Sequence, residues 1–200
     1  IFLALTLILG YAQMRADEGM WLLMLVKRLN GVDMQKKGLH LTPEEIYSVN
    51  NSSLKDAIVS FGGFCTGEIV SNQGLIFTNH HCGYDNIQSH STVENDLLTN
   101  GFWAKDMNGE LPNPGVTVDF ITDIKEVTKD ILAGTESLKG KDLDAKIKQN
   151  TDAYIASQKP ESYQKISVRS MYYGNKFYAY VIETYKDIRL VGAPPSAIGK

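Results

Sequence analysis

Cysteine is scarce in this 200-residue chain, which holds only Cys65 and Cys82. That excludes a multiply stapled scaffold and the cysteine-rich zinc modules. No long basic run occurs. A formal net charge of −3 and a pI near 5.8 exclude the concentrated basic face that a nucleic-acid partner requires. No apolar run reaches the roughly 20 residues needed to span a bilayer, so stable membrane insertion is not expected. Internal repeats and a Pro/Gly-rich linker are absent too. What is present is ordinary globular composition, 43% hydrophobic and 10% aromatic, enough for one domain with a real core.

The apolar stretch from Ile1 to Gly10 has the length of a secretory h-region. No initiator Met and no basic segment precede it, so the sequence is expected to begin inside a signal peptide. Residues 1–16 are its remnant, with Ala12 and Ala16 as cleavage positions and Asp17-Glu18-Gly19 near the mature N-terminus. Export to the periplasm or cell surface makes a Cys65–Cys82 disulfide the default, worth roughly 3 kcal/mol by loop entropy. The alternative is two buried thiols. A zinc site built from His80, His81, His90 and Cys82 lacks any familiar ligand spacing.

The most informative stretch runs from Phe61 to Gly83. Two apolar runs, Cys65 to Val70 and Leu75 to Thr78, flank Ser71-Asn72-Gln73-Gly74, a hairpin turn. The second strand ends in Thr78-Asn79-His80-His81-Cys82-Gly83. This places a histidine at a strand end, beside a cysteine that the hairpin brings back to Cys65. A His followed directly by a Cys, paired to a Cys one hairpin upstream, resembles the histidine region of chymotrypsin-like serine peptidases. There the His is the general base, an Asp orients it and backbone N–H groups hold the oxyanion.

Elsewhere the pattern predicts a helix from Met20 to Leu29 closing at Asn30-Gly31, and a short helix after Thr42-Pro43-Glu44-Glu45. A strand is expected over Ala57 to Phe61. Gly83 to Gln88 reads as a helical turn and Ser91-Thr92-Val93-Glu94 as a capping box opening a helix to about Leu98. Asp85, four residues past His81, invites the role of triad carboxylate. A neighbour on the same turn seldom reaches the outer imidazole nitrogen, so capping or solvent exposure is the better reading. His40 and His90 read as surface or packing residues. Gly101 to Gly115 reads as a long surface connection, Val116 to Ile124 as a strand, and Lys125 to Gln158 as one or two solvent-faced helices. Ile166 to Tyr173 and Lys176 to Tyr185 form a hairpin around Gly174-Asn175, with its tyrosines packing on the sheet; Asp187 to Val191 is a further strand.

A triad needs a nucleophile, and no serine stands in a Gly-Asp-Ser-Gly or Gly-x-Ser-x-Gly turn; Ser196 lies among prolines and an alanine. The chain is therefore expected to be the N-terminal portion of a longer enzyme. Asp17-Glu18-Gly19-Met20-Trp21, Cys65-Thr66-Gly67-Glu68, Thr78 to Asp85, Asn100-Gly101-Phe102-Trp103 and Arg189 to Ser196 together resemble the bacterial dipeptidyl-peptidases seven and eleven. The resemblance covers most of residues 17 to 200. It implies a serine exopeptidase with a chymotrypsin-type double β-barrel and an inserted helical domain. Residues 17–200 would then be the incomplete N-terminal part of the catalytic domain, mainly β with added helices, forming the His-bearing first barrel.

The same resemblance implies His81 as catalytic base, His80 as its support, and the triad Asp and Ser beyond residue 200. Dipeptides would leave the free N-terminus of peptide substrates without metal or organic cofactor, and the acidic-preferring branch is the closer one. A homodimer is expected at full length, and these residues alone are expected to be inactive. The competing reading is a secreted, non-catalytic binding module built on a trypsin-like half-barrel. A metal-dependent hydrolase is a weaker third.

Overall fold

The computed structural model describes residues 22–29 and 31–198. The signal remnant, its cleavage positions and Asp17 to Trp21 lie outside the described residues. The chain divides into two units, Ile1–Pro43 and Glu44–Lys200.

In the first unit a 3-10 turn, Leu23–Leu25, leads into helix α1 (Val26–Leu29), and helix α2 (Gly31–Lys36) follows. α1 ends at Leu29, beside the expected close at Asn30-Gly31, but Gly31 is itself the first residue of α2, so a second helix starts there. Gly38 ends α2. Its φ of 101° lets Leu39 N–H reach the Met34 carbonyl at 3.0 Å and its own N–H reach that of Gln35 at 3.0 Å, a Schellman cap. Helix α3 (Pro43–Ile46) starts on the proline after Thr42, as its capping sequence requires.

The second unit is built on strands. β1 (Ile58–Phe61), β2 (Cys65–Ile69) and β3 (Ile76–Thr78) form a meander that runs into α4 (His80–Ser89) and α5 (Leu97–Asn100). The short strands β4 (Phe102–Trp103) and β5 (Leu111–Pro112) precede the long β6 (Val118–Glu126), α6 (Thr128–Ile131) and α7 (Gly140–Ser157). β7 (Gln164–Met171), β8 (Lys176–Tyr185), β9 (Arg189–Leu190) and β10 (Gly192–Ala193) complete it. Six strands make one antiparallel sheet in the order β3-β2-β1-β6-β8-β7.

The mainly β class with added helices is therefore correct, but the expected first barrel is not closed. β3 and β7 are the sheet edges, and no pairing among the described residues joins them. β3 is only three residues long and passes straight into α4, so it offers little edge for another strand.

Alternation along the strands decides what is buried. Val59, Phe61, Cys65, Ile69 and Ile76 pack with Val118 and with Cys82 of α4 in one core cluster. Gly67 sits in their midst, where a Cβ would lie 2.7 Å from Ile76 Cγ2, so the meander closes only over a glycine. A second cluster joins Val127, Ile131, Phe177 and Ala179, covered by Ile147 and Tyr154 of α7. Those two stand seven residues apart on one face of the helix. Asn150, between them, donates to the carbonyls of Ile131 and Ala133, each at 2.9 Å, and ties α7 to the end of α6.

Three expectations need correction. Ser91-Thr92-Val93-Glu94 opens no helix: the Ser91 hydroxyl donates back to the Ile87 carbonyl at 3.0 Å and closes α4, while Asp96 caps α5. Gly101 to Gly115 is not merely a surface connection, because β4 pairs with β10 and β5 with β9. The β7–β8 turn is four residues, Tyr172 to Asn175, between the paired Met171 and Lys176, with positive φ at Tyr172, Tyr173 and Gly174. Tyr178 and Tyr180 are buried in the sheet, whereas Tyr172 and Tyr173 are exposed at that tip.

Ile131 has no exposed surface, and Val93 is 95% exposed. Ile131→Ala should cost about 2–5 kcal/mol of unfolding free energy, and Val93→Ala should stay within about 0.5 kcal/mol. Urea denaturation checks both, and equal effects would contradict this core.

Candidate active site

The site begins where β3 ends. The Thr78 hydroxyl donates to the Thr66 carbonyl at 2.7 Å, fixing the strand end across the hairpin. Asn79 stays extended (φ −71°, ψ 146°), and its carbonyl receives the Cys82 N–H at 2.9 Å, closing the first turn of α4. His80, His81 and Cys82 thus occupy a helical turn, not a strand end. At 3.6 residues per turn, successive side chains diverge by about 100°, so the neighbours face different surroundings.

Cys82 points into the core at 4% exposure and is bonded to Cys65, with the two Cα atoms 6.1 Å apart. His81 projects outward and is exposed. One of its ring nitrogens and the two sulfurs lie within 4.8 Å of one another, so the imidazole stands directly over the disulfide. His80 is half-buried, edge-on to Tyr84 one turn later with ring centroids 6.1 Å apart. Its Nε2 is buried with no hydrogen-bond partner among the described residues.

Both histidines open on one cleft of about 620 Å³, lined also by Asn79, Tyr84, Asp96, Leu98, Thr99 and Ser196. Sequence reasoning missed Asn79, Tyr84, Asp96 and Thr99 as lining residues. Only the Asp-x-x-Thr cap spacing offered a signal, and that reports a helix start. Asp96 accepts from Thr99 N–H at 3.0 Å and Thr99 O–H at 2.5 Å. These bonds, the hydroxyl's foremost, hold its carboxyl below the usual carboxylate range. Ser196 reaches the cleft because its N–H donates to the Leu98 carbonyl at 2.8 Å. No hydrogen bond joins it to His81 among the described residues.

Asp85 is exposed and makes no hydrogen bond to His81 among the described residues. His90 is half-buried, its Nε2 3.1 Å from Oδ1 of the buried Asn113, while His40 is exposed. The zinc set considered from sequence is not assembled: Cys82 is consumed by the disulfide and His90 is held by Asn113. The same bond removes both sulfurs near His81 as thiolate ligands.

The staple, the helix start and the exposed imidazole thus meet at one cleft. The model of the peptidase S46 family matches residues 16–200. The chain belongs to that family. It is 47% identical over 201 residues to the Asp/Glu-specific dipeptidyl-peptidase of Capnocytophaga gingivalis, covering all of this chain and 28% of that protein. It is 46% identical over 187 residues to the dipeptidyl-peptidase 7 of the same organism, covering 93% and 26%. The crystal structure of Porphyromonas endodontalis DPP11 in complex with substrate superposes with a TM-score of 0.82 at 39% identity, over 92% of this chain and 28% of that one. The chain thus spans little more than a quarter of the length of the curated relatives it matches.

Replacing both cysteines by serine should lower unfolding free energy by about 3 kcal/mol, seen as a lower urea midpoint; an unchanged midpoint would contradict a structural staple. The Asp96 carboxyl titrates lower in the folded chain than in the unfolded one. Its contribution is therefore complete above the ordinary carboxylate pKa and is lost as pH falls through the lowered value. Asp96→Asn should remove that component from the acid limb of the stability profile, measured by urea titration across pH.

Proposed function

We propose that these residues form the histidine-bearing part of a serine dipeptidyl-peptidase that releases dipeptides from the free N-terminus of peptides. The reading is carried by one observation: in an S46 chain, an exposed imidazole at position 81 is held over a disulfide in the first turn of a helix. A general base must keep one orientation through a catalytic cycle, and the staple at the next residue supplies that constraint.

In the proposed cycle His81 takes the proton from a serine hydroxyl as the oxygen attacks the scissile carbonyl. It then returns the proton to the departing amine, leaving an acyl-enzyme. Water repeats the sequence in reverse. The serine and the orienting carboxylate come from segments outside these 200 residues. Asp96 accepts from Thr99 and makes no hydrogen bond to His81 among the described residues. Ser196 has no histidine partner among the described residues.

An acidic side chain before the scissile bond is the preferred substrate. The name of the 47% identical relative, Asp/Glu-specific dipeptidyl-peptidase, supports it. Work outside the cytosol, in the periplasm or at the cell surface, fits a disulfide that must persist.

In the product of the complete coding sequence, His81→Ala should lower kcat/KM for dipeptidyl reporters bearing Asp or Glu before the cut by roughly 10³-fold or more. His80→Ala should keep measurable turnover. The reverse pattern would reassign the base to His80, and hydrolysis that both variants retain in full would remove this turn from the mechanism.

A further inference from the structure

Among the described residues, the one group of side chains with metal-ligand atoms in close proximity is the disulfide together with the imidazole above it. Cys65 Sγ, Cys82 Sγ and a His81 ring nitrogen all lie within 4.8 Å of one another. His81 is exposed, Cys65 half-buried and Cys82 buried, so an ion arriving from solvent meets the imidazole first. While the sulfurs are bonded to each other, neither is a thiolate. Reduction changes that, because it leaves two thiolate donors and one imidazole at the same place.

These donors make a zinc set. Zinc binds thiolate at about 2.3 Å and imidazole at about 2.0–2.1 Å in a tetrahedron, which puts the ligand atoms of one ion roughly 3.5–3.8 Å apart. Rotation about the two Cα–Cβ bonds separates the sulfurs, and the nitrogen closes by roughly 1.3 Å at most. The backbones have supports besides the bond: Cys65 lies in β2, which β1 and β3 pair on either side, and the Cys82 N–H is bonded to the Asn79 carbonyl. Two thiolates cancel the charge of the ion, which suits a site whose ligand Cys82 is 4% exposed. Soft sulfur donors favour zinc over calcium or magnesium. Three protein ligands leave the fourth position, on the exposed side, to water.

We propose that reduction of the Cys65–Cys82 bond opens a zinc site made of these two thiolates and His81, and that the ion then holds the general base out of the reaction. A dithiol reductant gives two electrons and two protons to the bond and closes to its own disulfide. Zinc then displaces both thiol protons to solvent and takes the lone pair of one His81 ring nitrogen. The inhibitory half rests on the peptidase reading above. A triad histidine uses one nitrogen for the serine proton and the other for the orienting carboxylate, so a metal on either one stops it. The intact bond thus keeps His81 available as well as in place.

The test uses the product of the complete coding sequence, reduced by a phosphine, which becomes its oxide with oxygen from water and adds no thiol of its own. After reduction, one equivalent of Co2+ should bring up a thiolate-to-cobalt charge-transfer band and the visible bands of a tetrahedral ion. Zn2+ should displace it, and the oxidised protein should show neither. His81→Ala should weaken Zn2+ binding by roughly 100-fold, since even outer-shell partners are worth about 10- to 100-fold, while His80→Ala should leave it unchanged. With reporters bearing Asp or Glu before the cut, one equivalent of Zn2+ should lower kcat/KM of the reduced protein by about 10-fold or more. A chelator should restore it. Equal binding by the oxidised protein, or binding that His81→Ala leaves intact, overturns the site. So does loss of the folded circular-dichroism signal on reduction, because an unfolded chain would then hold the metal. Zinc bound without loss of turnover, or turnover already lost in the reduced, metal-free protein, overturns the capture of the base. Absence of dipeptide release by the oxidised protein sinks the peptidase reading instead, and leaves the metal titration to be read without it.

Discussion

The bond between Cys65 and Cys82 joins β2 to the first turn of α4, and His81 stands in that turn next to Cys82. The first turn of a helix is its weakest, with N–H groups that find no intrahelical partner. Asn79 gives α4 no side-chain cap, so this turn has little local reason to hold its shape. The crosslink compensates. It anchors the residue after His81 to a strand that is paired on both sides, by β1 and β3. Cys82 is also part of the core formed by Val59, Phe61 and Val118, so staple and hydrophobic packing act at one point.

The frame behind the staple is a twisted antiparallel sheet whose long strand β8 is covered on both faces. Phe177 and Ala179 pack with α6 and α7 on one face, and the alternate residues Tyr178, Tyr180 and Ile182 are buried on the other. Near the middle of the sheet Asp119 accepts from Thr184 Oγ1 at 2.6 Å and from Lys165 Nζ at 2.5 Å, linking β6, β8 and β7 across the ladder. A partly buried carboxylate so satisfied stabilises the register instead of opposing burial.

The chain after β8 closes the site from the other side. β9 and β10 pair with β5 and β4, and Ala193 packs with Ile87 of α4 and Leu97 of α5. Gly192 lies so close under Trp103 that a Cβ would sit 2.4 Å from its ring, so the glycine is a requirement of this stacking. These contacts carry Ser196 to Leu98 and make one cleft from residues more than a hundred positions apart.

Much of this was legible locally. The Ser71–Gly74 turn, the hairpin around it, the proline-started α3 and the long amphipathic α7 follow from turn chemistry and side-chain period, which need only neighbours in sequence. The His81-Cys82 pair, with Cys65 one hairpin upstream, marks in sequence the turn that the disulfide joins to β2. Local reasoning failed where a residue had two possible partners. The Ser91 hydroxyl matched a capping pattern but bonds backward to Ile87, and Gly31 looked like a helix stop but starts α2. Phe102-Trp103 and Leu111-Pro112 carried no strand pattern, because each strand exists only through a partner about 80–90 residues away. By itself, then, the sequence determined the hairpins, the helices with clear caps and the identity of the stapled histidine turn, since short-range sterics and periodicity decide them. Only tertiary structure decided that β3 and β7 are unpaired edges among the described residues, that His80 turns toward Tyr84 while His81 faces outward over the disulfide, and that Asp96 and Ser196 share their cleft. Those outcomes depend on long-range strand pairing and core packing, whose free energies no local stretch of sequence contains.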